Sequence, residues 1–277
     1  MLKFNKIKNK TSFRASNKLL NIAHRGGGLE SPENTLYAFQ KSIETAKADM
    51  LEIDVRVSAD NEAVVIHNDT LVETTNGHGK VSDYTVEELQ NLDAGYNFSL
   101  DNEISFPFRG KAVRIPTLEE LFKQFPNTPI NIDIKMPSKP LVKRVVQLIN
   151  AYSRTDNTII GSNYYKVWRI IKKETSLNRF IFFFPPQEVL KLIIFHLLHL
   201  TPLYKPKYPV LELPLKVKIF NFTNPRFLRE VKLMNFELFF WTVNEETVMK
   251  KLLKSGVDGI MTDIPSRFNE IRNNFAH

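Results

Sequence analysis

The chain has 277 residues and a mass of 32.1 kDa, a size that suits either two ordinary domains or one large α/β barrel. With 43% hydrophobic and 25% charged residues, its composition excludes a disordered, collagenous or coiled-coil protein. Cysteine is absent, which excludes disulfide bonds, thiolate metal sites and a cysteine nucleophile.

The net charge of +8 is concentrated at the N-terminus, where six basic residues and no acidic residue fall within positions 1–18. The rest of the chain is nearly balanced, so we predict no nucleic-acid partner. Residues 1–18 are predicted to be a basic, flexible arm, either simply solvated or attracted to an anionic membrane. Because lysines interrupt its apolar residues, we predict no secretory signal and a cytoplasmic or peripherally membrane-associated protein.

From residue 19 onward, short β-branched runs alternate with amphipathic helical stretches. Alternation of this kind predicts a parallel sheet, and eight units in one chain predict an α/β fold of the (β/α)8 TIM-barrel type. The eight predicted strands are Leu19–Arg25, Met50–Val57, Ala63–His67, Ile130–Lys135, Thr158–Gly161, Phe180–Phe184, Phe239–Asn244 and Gly259–Asp263. The main predicted helices are Thr35–Lys47, Leu118–Phe125, Pro140–Tyr152, Asn163–Glu174 and Glu245–Ser255. Val217–Phe222 also looks extended, so one of nine candidate strands is predicted to lie outside the barrel.

Charged residues are paired on two of these strands. Glu52 and Asp54 are two residues apart on the second strand, so both side chains point to the same side. Asp133 and Lys135 repeat this arrangement on the fourth strand. Carboxylates that face one interior repel each other unless a cation lies between them. The oxygen ligands of Glu52, Asp54 and Asp133 therefore predict one divalent cation, Mg²⁺ or Ca²⁺.

Two histidines end predicted strands, His24 on the first and His67 on the third. In a barrel, the catalytic groups gather at the C-terminal ends of the strands. Arg25 and Lys135 supply positive charge suited to a phosphate, and the two imidazoles suggest one general base and one general acid. Each residue alone is more often structural, but buried charges rarely recover their desolvation cost. Together they predict phosphodiester cleavage.

These residues resemble the glycerophosphodiester phosphodiesterases of the phospholipase-C-like barrel superfamily. The resemblance runs in order through nearly the whole chain. It rests on His24-Arg25-Gly26, Pro32-Glu33-Asn34-Thr35, Leu51–Val55, Val64–His67, Thr74–Gly77, Leu92–Gly95, Ile115–Leu118, Asn131–Lys135, Trp241–Asn244, Gly256–Gly259 and Thr262-Asp263.

The resemblance implies a role for each member of the predicted site. It implies a metal held by Glu52, Asp54 and Asp133, acid–base chemistry by His24 and His67, and phosphate binding by Arg25 and Lys135. It also implies that Trp241 lines the pocket and that Glu33 supports Arg25, whereas Asn34 is predicted to cap the helix that follows. Residues 68–114 correspond to a small family insertion after strand three, within a barrel domain of residues 19–277.

Two positions depart from the family pattern. The family usually has His-Asp after strand three, whereas this chain has His67-Asn68-Asp69, so carboxylate support for His67 is expected from elsewhere or from a shifted loop. The third metal ligand is commonly Glu and is Asp133 in this chain. Residues Phe125–Lys135 resemble the lysophospholipase-D branch, which also has Asp at that position.

The most apolar segment is residues 180–208, but polar residues keep every run below the roughly 20 residues that a membrane-spanning helix needs. Gln187–Leu200 is predicted to form a helix with opposite polar and apolar halves, and the lysines that flank it favour a membrane-interfacial element. His196 and His199 have metal-like spacing, but without a neighbouring carboxylate in the sequence they are predicted to be packing or interfacial residues.

We therefore predict a metal-dependent phosphodiesterase that cleaves a phospholipid-derived substrate, a lysophospholipid. His24 is predicted to be the general base and His67 the general acid. Three alternatives stay open: a soluble glycerophosphodiester hydrolase releasing glycerol-3-phosphate and an alcohol, a cyclising phospholipase D, and a non-catalytic membrane lipid-binding module.

Overall fold

Eight parallel strands form a nearly closed barrel in the computed structural model, which describes residues 19–175 and 179–275. The strands in chain order are β1 (Leu20–Ala23), β2 (Met50–Val57), β3 (Ala63–Val65), β4 (Ile130–Ile134), β5 (Thr158–Gly161), β6 (Ile181–Phe182), β7 (Val210–Pro214), β8 (Lys216–Val217), β9 (Phe220–Asn221), β10 (Glu237–Trp241) and β11 (Gly259–Thr262). The barrel runs β6-β5-β4-β2-β1-β11-β10-β7, and Phe183 pairs with Val210 where β6 meets β7. The predicted (β/α)8 architecture is confirmed, whereas the predicted basic arm, residues 1–18, lies outside the described residues.

Helices connect the strands and cover the outside of the barrel. They are α1 (Leu36–Glu44), α2 (Val86–Gln90), α3 (Leu118–Gln124), α4 (Lys139–Ala151), α5 (Tyr165–Glu174), α6 (Pro186–Leu197), α7 (Pro225–Leu233), α8 (Glu246–Ser255) and α9 (Pro265–Phe275). The five predicted helices are confirmed as α1, α3, α4, α5 and α8, with small differences at their ends. Hydroxyl side chains at Thr35, Thr117 and Ser138 accept the first free backbone N–H groups of α1, α3 and α4. Within the described ranges, none of the helices has the length and apolar character to cross a membrane.

The prediction of Ala63–His67 as a barrel strand was wrong, and so was the prediction that one candidate lies outside the barrel. Ala63–Val65 pairs antiparallel with β2 and lies off the barrel path, and Val217–Phe222 contains the small β8–β9 hairpin, so two of the nine candidates lie outside the barrel. Val210–Pro214 takes the vacant place in the barrel as β7, between β10 and β6. The sequence hid β7 because prolines stand immediately before it and at its last residue, where they are typical of turns.

Strand β2 shows how the barrel positions charged groups. All eight of its residues are buried, because one face meets the apolar core and the other faces the barrel interior. Parallel pairing sets Asp54 directly beside Asp133 on β4. The alternation of side chains then carries Glu52 and Asp54 to the interior and leaves Leu51, Ile53 and Val55 in the core.

Residues 68–114, the predicted insertion, follow β3 rather than a barrel strand. They contain α2 and share a small apolar core with residues on either side of them, separate from the main core. Its members are Val64, Ile66, Leu71, Val81, Leu89, Ala94, Val113 and Ile115. The insertion therefore begins directly after His67, at the edge of the barrel where β2 ends.

Candidate active site

A cavity of about 240 Å³ opens at the C-terminal ends of the barrel strands. The structure brings all the predicted site residues together there. Seven of them line the cavity, namely His24, Arg25, Glu52, His67, Asp133, Lys135 and Trp241. The eighth, Asp54, is fully buried and contacts the lining residues Arg25 and Lys135.

Asp54 is the centre of the charged network. Lys135 Nζ lies 2.8 Å from Asp54 Oδ1, and Arg25 Nε lies 3.2 Å from Asp54 Oδ2. Asn34 completes the arrangement, since its side-chain amide donates to Asp54 Oδ2 at 3.0 Å and its carbonyl accepts from the Asp54 backbone N–H at 3.2 Å. Burial pushes the pKa of the Asp54 carboxyl upward, but Lys135 and Arg25 outweigh burial and hold that pKa below its usual value. Asp54 is therefore a fixed negative charge.

The predicted capping role of Asn34 is wrong. The cap of α1 is Thr35, whose hydroxyl accepts from the Ala38 backbone N–H at 3.2 Å. Asn34 instead adopts a left-handed backbone conformation, with φ of 56°, and its side chain is hydrogen-bonded to Asp54. Asparagine tolerates this conformation better than most residues. Asn34, one residue before the cap of α1, therefore supports the Asp54 carboxylate.

The pKa values of Glu52 and Asp133, the other two carboxylates of the predicted metal site, are shifted in the opposite direction to that of Asp54. Burial and the neighbouring Asp54 charge raise the pKa of Glu52 to about 7. Burial likewise raises the pKa of Asp133, although Lys135 Nζ lies 2.7 Å from Asp133 Oδ2. These raised pKa values show that Arg25 and Lys135 do not balance the buried negative charge on their own. An additional positive charge would stabilise both carboxylates in their ionised form.

The donor atoms fit a divalent cation in part. Asp133 Oδ1 is buried and has no hydrogen-bond partner, and carboxylate oxygens are the ligands that Mg²⁺ and Ca²⁺ prefer. Across residues 19–175 and 179–275, however, no three His, Asp or Glu side chains are grouped as a ready metal site. Lys135 Nζ lies between Asp54 and Asp133. Glu52 and Asp133 are thus the better candidates, and Asp54 would first have to exchange its contact with Lys135.

His24 is oriented by an acidic residue from the last strand. Its Nδ1 atom lies 2.6 Å from Asp263 Oδ1, so the carboxylate holds the proton on Nδ1 and leaves Nε2 available in the cavity. Asn244 fixes Asp263 in turn, donating to its Oδ2 at 2.7 Å and accepting from its backbone N–H at 2.9 Å. Burial lowers the pKa of His24, but Glu52 and Asp263 outweigh it, and the net shift is upward.

His67 is supported by an amide and not by a carboxylate. Its Nδ1 atom is hydrogen-bonded to Asn68 Oδ1, while Asp69 pairs with Arg56 at 2.9 Å. Arg56 also donates to the His67 backbone carbonyl at 2.8 Å. Burial lowers the pKa of His67. The expected carboxylate support is therefore absent from the contacts of His67, and the neutral Asn68 takes its place.

Arg25 sits in the sharp turn that follows β1. Its backbone φ is 52°, and Gly26 and Gly27 continue with φ of 78° and 83°, a conformation that glycine adopts without strain. Glu33 accepts from Arg25 Nη1 at 3.1 and 3.2 Å, so the predicted support of Arg25 by Glu33 is confirmed. The turn thereby directs the Arg25 guanidinium to the cavity, beside Asp54.

Sequence reasoning missed two acidic residues of the site. Glu212, on β7, lines the cavity and accepts from Asn131 Nδ2 at 2.7 Å, and burial raises its pKa well above the usual value. It was missed because β7 was missed. Asp263 was predicted only as the end of the last strand and as part of a family stretch, although the closure of β11 against β1 pairs Thr262 with Ala23 and so brings Asp263 beside His24. The predicted barrel was the signal that could have found Asp263, because the last strand of a closed barrel lies next to the first.

Comparison with known proteins places the chain among phosphodiesterases. Residues 24–267 match the model of the glycerophosphoryl diester phosphodiesterase family. The chain is 32% identical to human lysophospholipase D GDPD1, over 92% of this chain and 86% of that protein. It is 33% identical to the glycerophosphodiester phosphodiesterase of Caldanaerobacter subterraneus, over 90% and 95%. The fold is similar to the solved glycerophosphoryl diester phosphodiesterase domain of Rv2277c from Mycobacterium tuberculosis, with a TM-score of 0.79, 21% identity, and coverage of 92% and 99%.

Proposed function

This chain belongs to the glycerophosphoryl diester phosphodiesterase family and is a phosphoric diester hydrolase, and we propose that it hydrolyses the phosphodiester of a lysophospholipid by histidine acid–base chemistry with one divalent cation, Mg²⁺ or Ca²⁺. The observation that carries the proposal is the convergence on one small cavity of two histidines, two positively charged side chains and four carboxylates, the last being Glu52, Asp54, Asp133 and Glu212. The family match covers the residues that form this site.

Arg25 and Lys135 bind the phosphate in this proposal. Both line the cavity, and both are anchored from behind by Asp54. Asp54 and Asp133 outweigh burial and raise the pKa of Lys135, so that side chain stays positively charged. A guanidinium and an ammonium held in fixed positions suit the oxygens of a phosphodiester.

His24 is the general base in the proposed mechanism. It removes a proton from water or from the glycerol 2-hydroxyl, and the attacking oxygen then bonds to phosphorus. Asp263 stabilises the imidazolium that forms and keeps its Nδ1 proton in place. His67 protonates the departing alcohol, and Asn68 orients its ring. If a cyclic phosphate forms first, the two histidines exchange roles to open it.

Glu52 and Asp133, joined by Asp54, would hold the divalent cation. When bound, the cation would stabilise the negative charge that develops on the phosphoryl oxygens. Arg25 and Lys135 act on the same oxygens from the protein side. The excess of buried carboxylates over cations in the cavity supports this part of the proposal.

A lysophospholipid substrate is supported by the aromatic lining of the cavity and is compatible with its size. At about 240 Å³ it is smaller than the roughly 300–1,000 Å³ of pockets that enclose drug-sized ligands. It has room for the polar phosphodiester but not for the full length of an acyl chain as well. Trp241, Phe183 and Tyr164 place aromatic surface at its wall. The relative named lysophospholipase D, at 32% identity, supports the same substrate class.

A soluble glycerophosphodiester is the second candidate substrate. The relative from Caldanaerobacter, 33% identical, is named for that activity, and the charged cavity would accept a headgroup without an acyl chain. Only the contribution of the acyl chain to binding separates the two candidates.

Lysophosphatidylcholine is expected to be cleaved with a kcat/KM at least about tenfold above that of glycerophosphocholine, because contact of the first two methylene groups of the acyl chain with the aromatic wall of the cavity contributes about 1.6 kcal/mol. Both substrates release choline, so one coupled assay measures both under identical conditions. Mass spectrometry identifies the phosphate product. A higher kcat/KM for glycerophosphocholine would establish the soluble substrate, and a cyclic phosphate as the final product would establish the cyclising alternative.

Asp263→Asn is expected to lower kcat/KM by about 10²-fold, the lower end of the rate enhancement that a general base provides. The amide no longer stabilises the His24 imidazolium and also permits the wrong tautomer. Because Asp263 raises the pKa of His24, its loss should move the low-pH limb of the rate profile to still lower pH. The measurement is kcat/KM against pH.

Two variants control the Asp263 experiment. Asp263→Glu should recover part of the activity, because it restores a carboxylate. Asp83→Asn, at an exposed position in the insertion, should behave like the wild type. A loss of rate in Asp263→Asn without a shifted pH limb would show that Asp263 acts only in folding.

A further inference from the structure

A stripe of exposed apolar side chains runs along α6. Leu190, Ile194, Leu197 and the following Leu198 are between 46% and 61% exposed, and spacings of three and four residues place them on one side of the helix. Leu192 is buried on the side that faces the protein. Soluble monomers rarely expose contiguous apolar surface without a partner. Helix α6 thus packs on the protein through one apolar side and exposes a second apolar stripe to solvent.

The β8–β9 hairpin adds a second apolar element. Ile219 at its tip is fully exposed and Val217 is 48% exposed. The hairpin contacts α6 directly, since the rings of His196 and Phe220 are 5.8 Å apart in edge-to-face geometry. The hairpin therefore packs against the C-terminal end of α6, where Leu197 and Leu198 are exposed. We call this combined surface the apolar rim and define it as Leu190, Ile194, Leu197, Leu198, Val217 and Ile219.

The histidine beneath the rim is structural. His196 is buried, and its Nδ1 atom lies 2.7 Å from Glu230 Oε2 on α7. Arg226, also on α7, pairs with Glu230 at 2.8 Å and contacts His199 Nε2 at 3.3 Å. These contacts fasten the C-terminal end of α6 to α7, in keeping with the predicted packing role of both histidines. The helix that carries most of the apolar rim is therefore firmly attached to the barrel domain.

The apolar rim lies beside the mouth of the active-site cavity. Strand β7 passes from Glu212 in the cavity wall to Pro214, which is paired with Trp241, and β8 begins two residues later. The hairpin therefore projects from the face of the barrel that carries the catalytic groups. A surface that covered the rim would stand next to the entrance of the cavity.

The charge around the apolar rim is positive. Between Glu188 and Glu230 the sequence contains seven Lys and Arg residues and a single acid, Glu212, which lies in the cavity wall. Exposed lysines both interrupt and flank the apolar side chains, namely Lys191, Lys205, Lys207, Lys216 and Lys218. An apolar surface framed by lysines is complementary to lipids with negatively charged headgroups.

We propose that the apolar rim docks the protein onto an anionic lipid membrane. The leucine and isoleucine side chains enter the boundary between headgroups and acyl chains, and the lysines contact lipid phosphates. The inference rests on the proposed function, because docking brings the cavity to a substrate whose acyl chain remains in the bilayer. It also accounts for a cavity that has room for the phosphodiester alone.

Binding to vesicles tests the docking surface without any catalysis. The full chain is sedimented with vesicles of phosphatidylcholine alone, and with vesicles that also contain phosphatidylglycerol, neither holding a lysophospholipid. We expect strong binding only to the anionic vesicles. The double variant L197S/L198S should bind them at least about tenfold more weakly. K216E/K218E should lose at least about fivefold for each lysine.

Matched controls come from exposed positions in the insertion. Ile104→Ser removes an isoleucine that is 84% exposed, and Lys80→Glu reverses an exposed lysine. Both should bind vesicles like the wild type. Residues 1–18 are identical in all variants, so any difference between rim and control variants comes from the rim.

Three results would overturn the docking proposal. They are a wild type that does not bind anionic vesicles, rim variants that bind as well as the controls, and a dimer in solution that the rim variants dissociate. The last would mean that a second copy covers the rim. Turnover of water-soluble glycerophosphocholine should be equal in all variants, so a failure of docking is distinguishable from a failure of the proposed hydrolysis.

Discussion

Replacing either His24 or His67 by alanine is expected to lower kcat for lysophosphatidylcholine by a factor on the order of 10²–10⁴. Each imidazole lines the cavity with its Nδ1 atom held, by Asp263 for His24 and by Asn68 for His67. Each substitution therefore removes one oriented proton carrier and leaves Arg25 and Lys135 to bind the phosphate. We expect KM to change much less than kcat.

A substrate with an acidic leaving group separates the two roles. Glycerophospho-p-nitrophenol releases a phenolate that needs no proton, so loss of the general acid has little effect on its cleavage. His67→Ala should therefore regain most of its activity on this substrate, whereas His24→Ala should remain impaired. The reverse pattern would exchange the assignments of base and acid.

His78 provides the control for both histidine variants. It is exposed in the insertion, and its alanine variant should have wild-type turnover. Wild-type turnover in His24→Ala or His67→Ala would refute acid–base catalysis by that residue. Thermal unfolding measured in parallel identifies a variant that is inactive because it has not folded.

Removal of divalent cations is expected to abolish hydrolysis, and addition of Mg²⁺ or Ca²⁺ to restore it. Burial raises the pKa values of Glu52 and Asp133, and an added positive charge would allow both carboxylates to ionise. Asp133→Asn and Glu52→Gln should weaken cation binding by at least the roughly 10–100-fold that loss of an outer partner of a metal ligand costs. Calorimetric titration measures that affinity independently of activity.

The control for the cation experiment is Glu44→Gln, at an exposed position on α1. Its cation affinity should equal that of the wild type. Full activity after treatment with a chelator, together with unchanged activity in Glu52→Gln, would refute the cation and leave Arg25 and Lys135 as the only positive charges on the phosphate. Lys135 already lies between Asp54 and Asp133, so such a site is physically reasonable.

The fold and the centre of the site could be predicted from sequence because both depend on short-range periodicity. Residues two apart on a strand point to the same face, so Glu52 and Asp54 share one face of their strand and Asp133 and Lys135 share one face of theirs, independently of how the strands pack. The direct pairing of Asp54 with Asp133 was not predictable in this way, because the predicted third strand, Ala63–His67, stood between strands two and four in the expected barrel order. Periodicity within one strand is a local property, and the sequence displays it directly.

Features that depend on distant contacts were not accessible in the same way. The alternation in Ala63–Val65 marks a strand, but nothing within three residues distinguishes an antiparallel partner of β2 from a barrel strand. Pro209 and Pro214 made β7 resemble a turn, so neither this strand nor the cavity residue Glu212 on it was predicted. The role of Asn34 depends on Asp54, twenty residues away, and competes with a capping role that its position also favours.

The pairing of His24 with Asp263 joins residues 239 positions apart, on the first and last strands of the barrel. During translation, every lining residue of the cavity emerges from the ribosome before Asp263, which contacts His24 but does not itself line the cavity. A chain in which β11 has not yet paired with β1 therefore holds both histidines, Arg25 and Lys135 without the carboxylate that contacts His24 Nδ1. Closure of the barrel and orientation of the His24 ring are thus one and the same event.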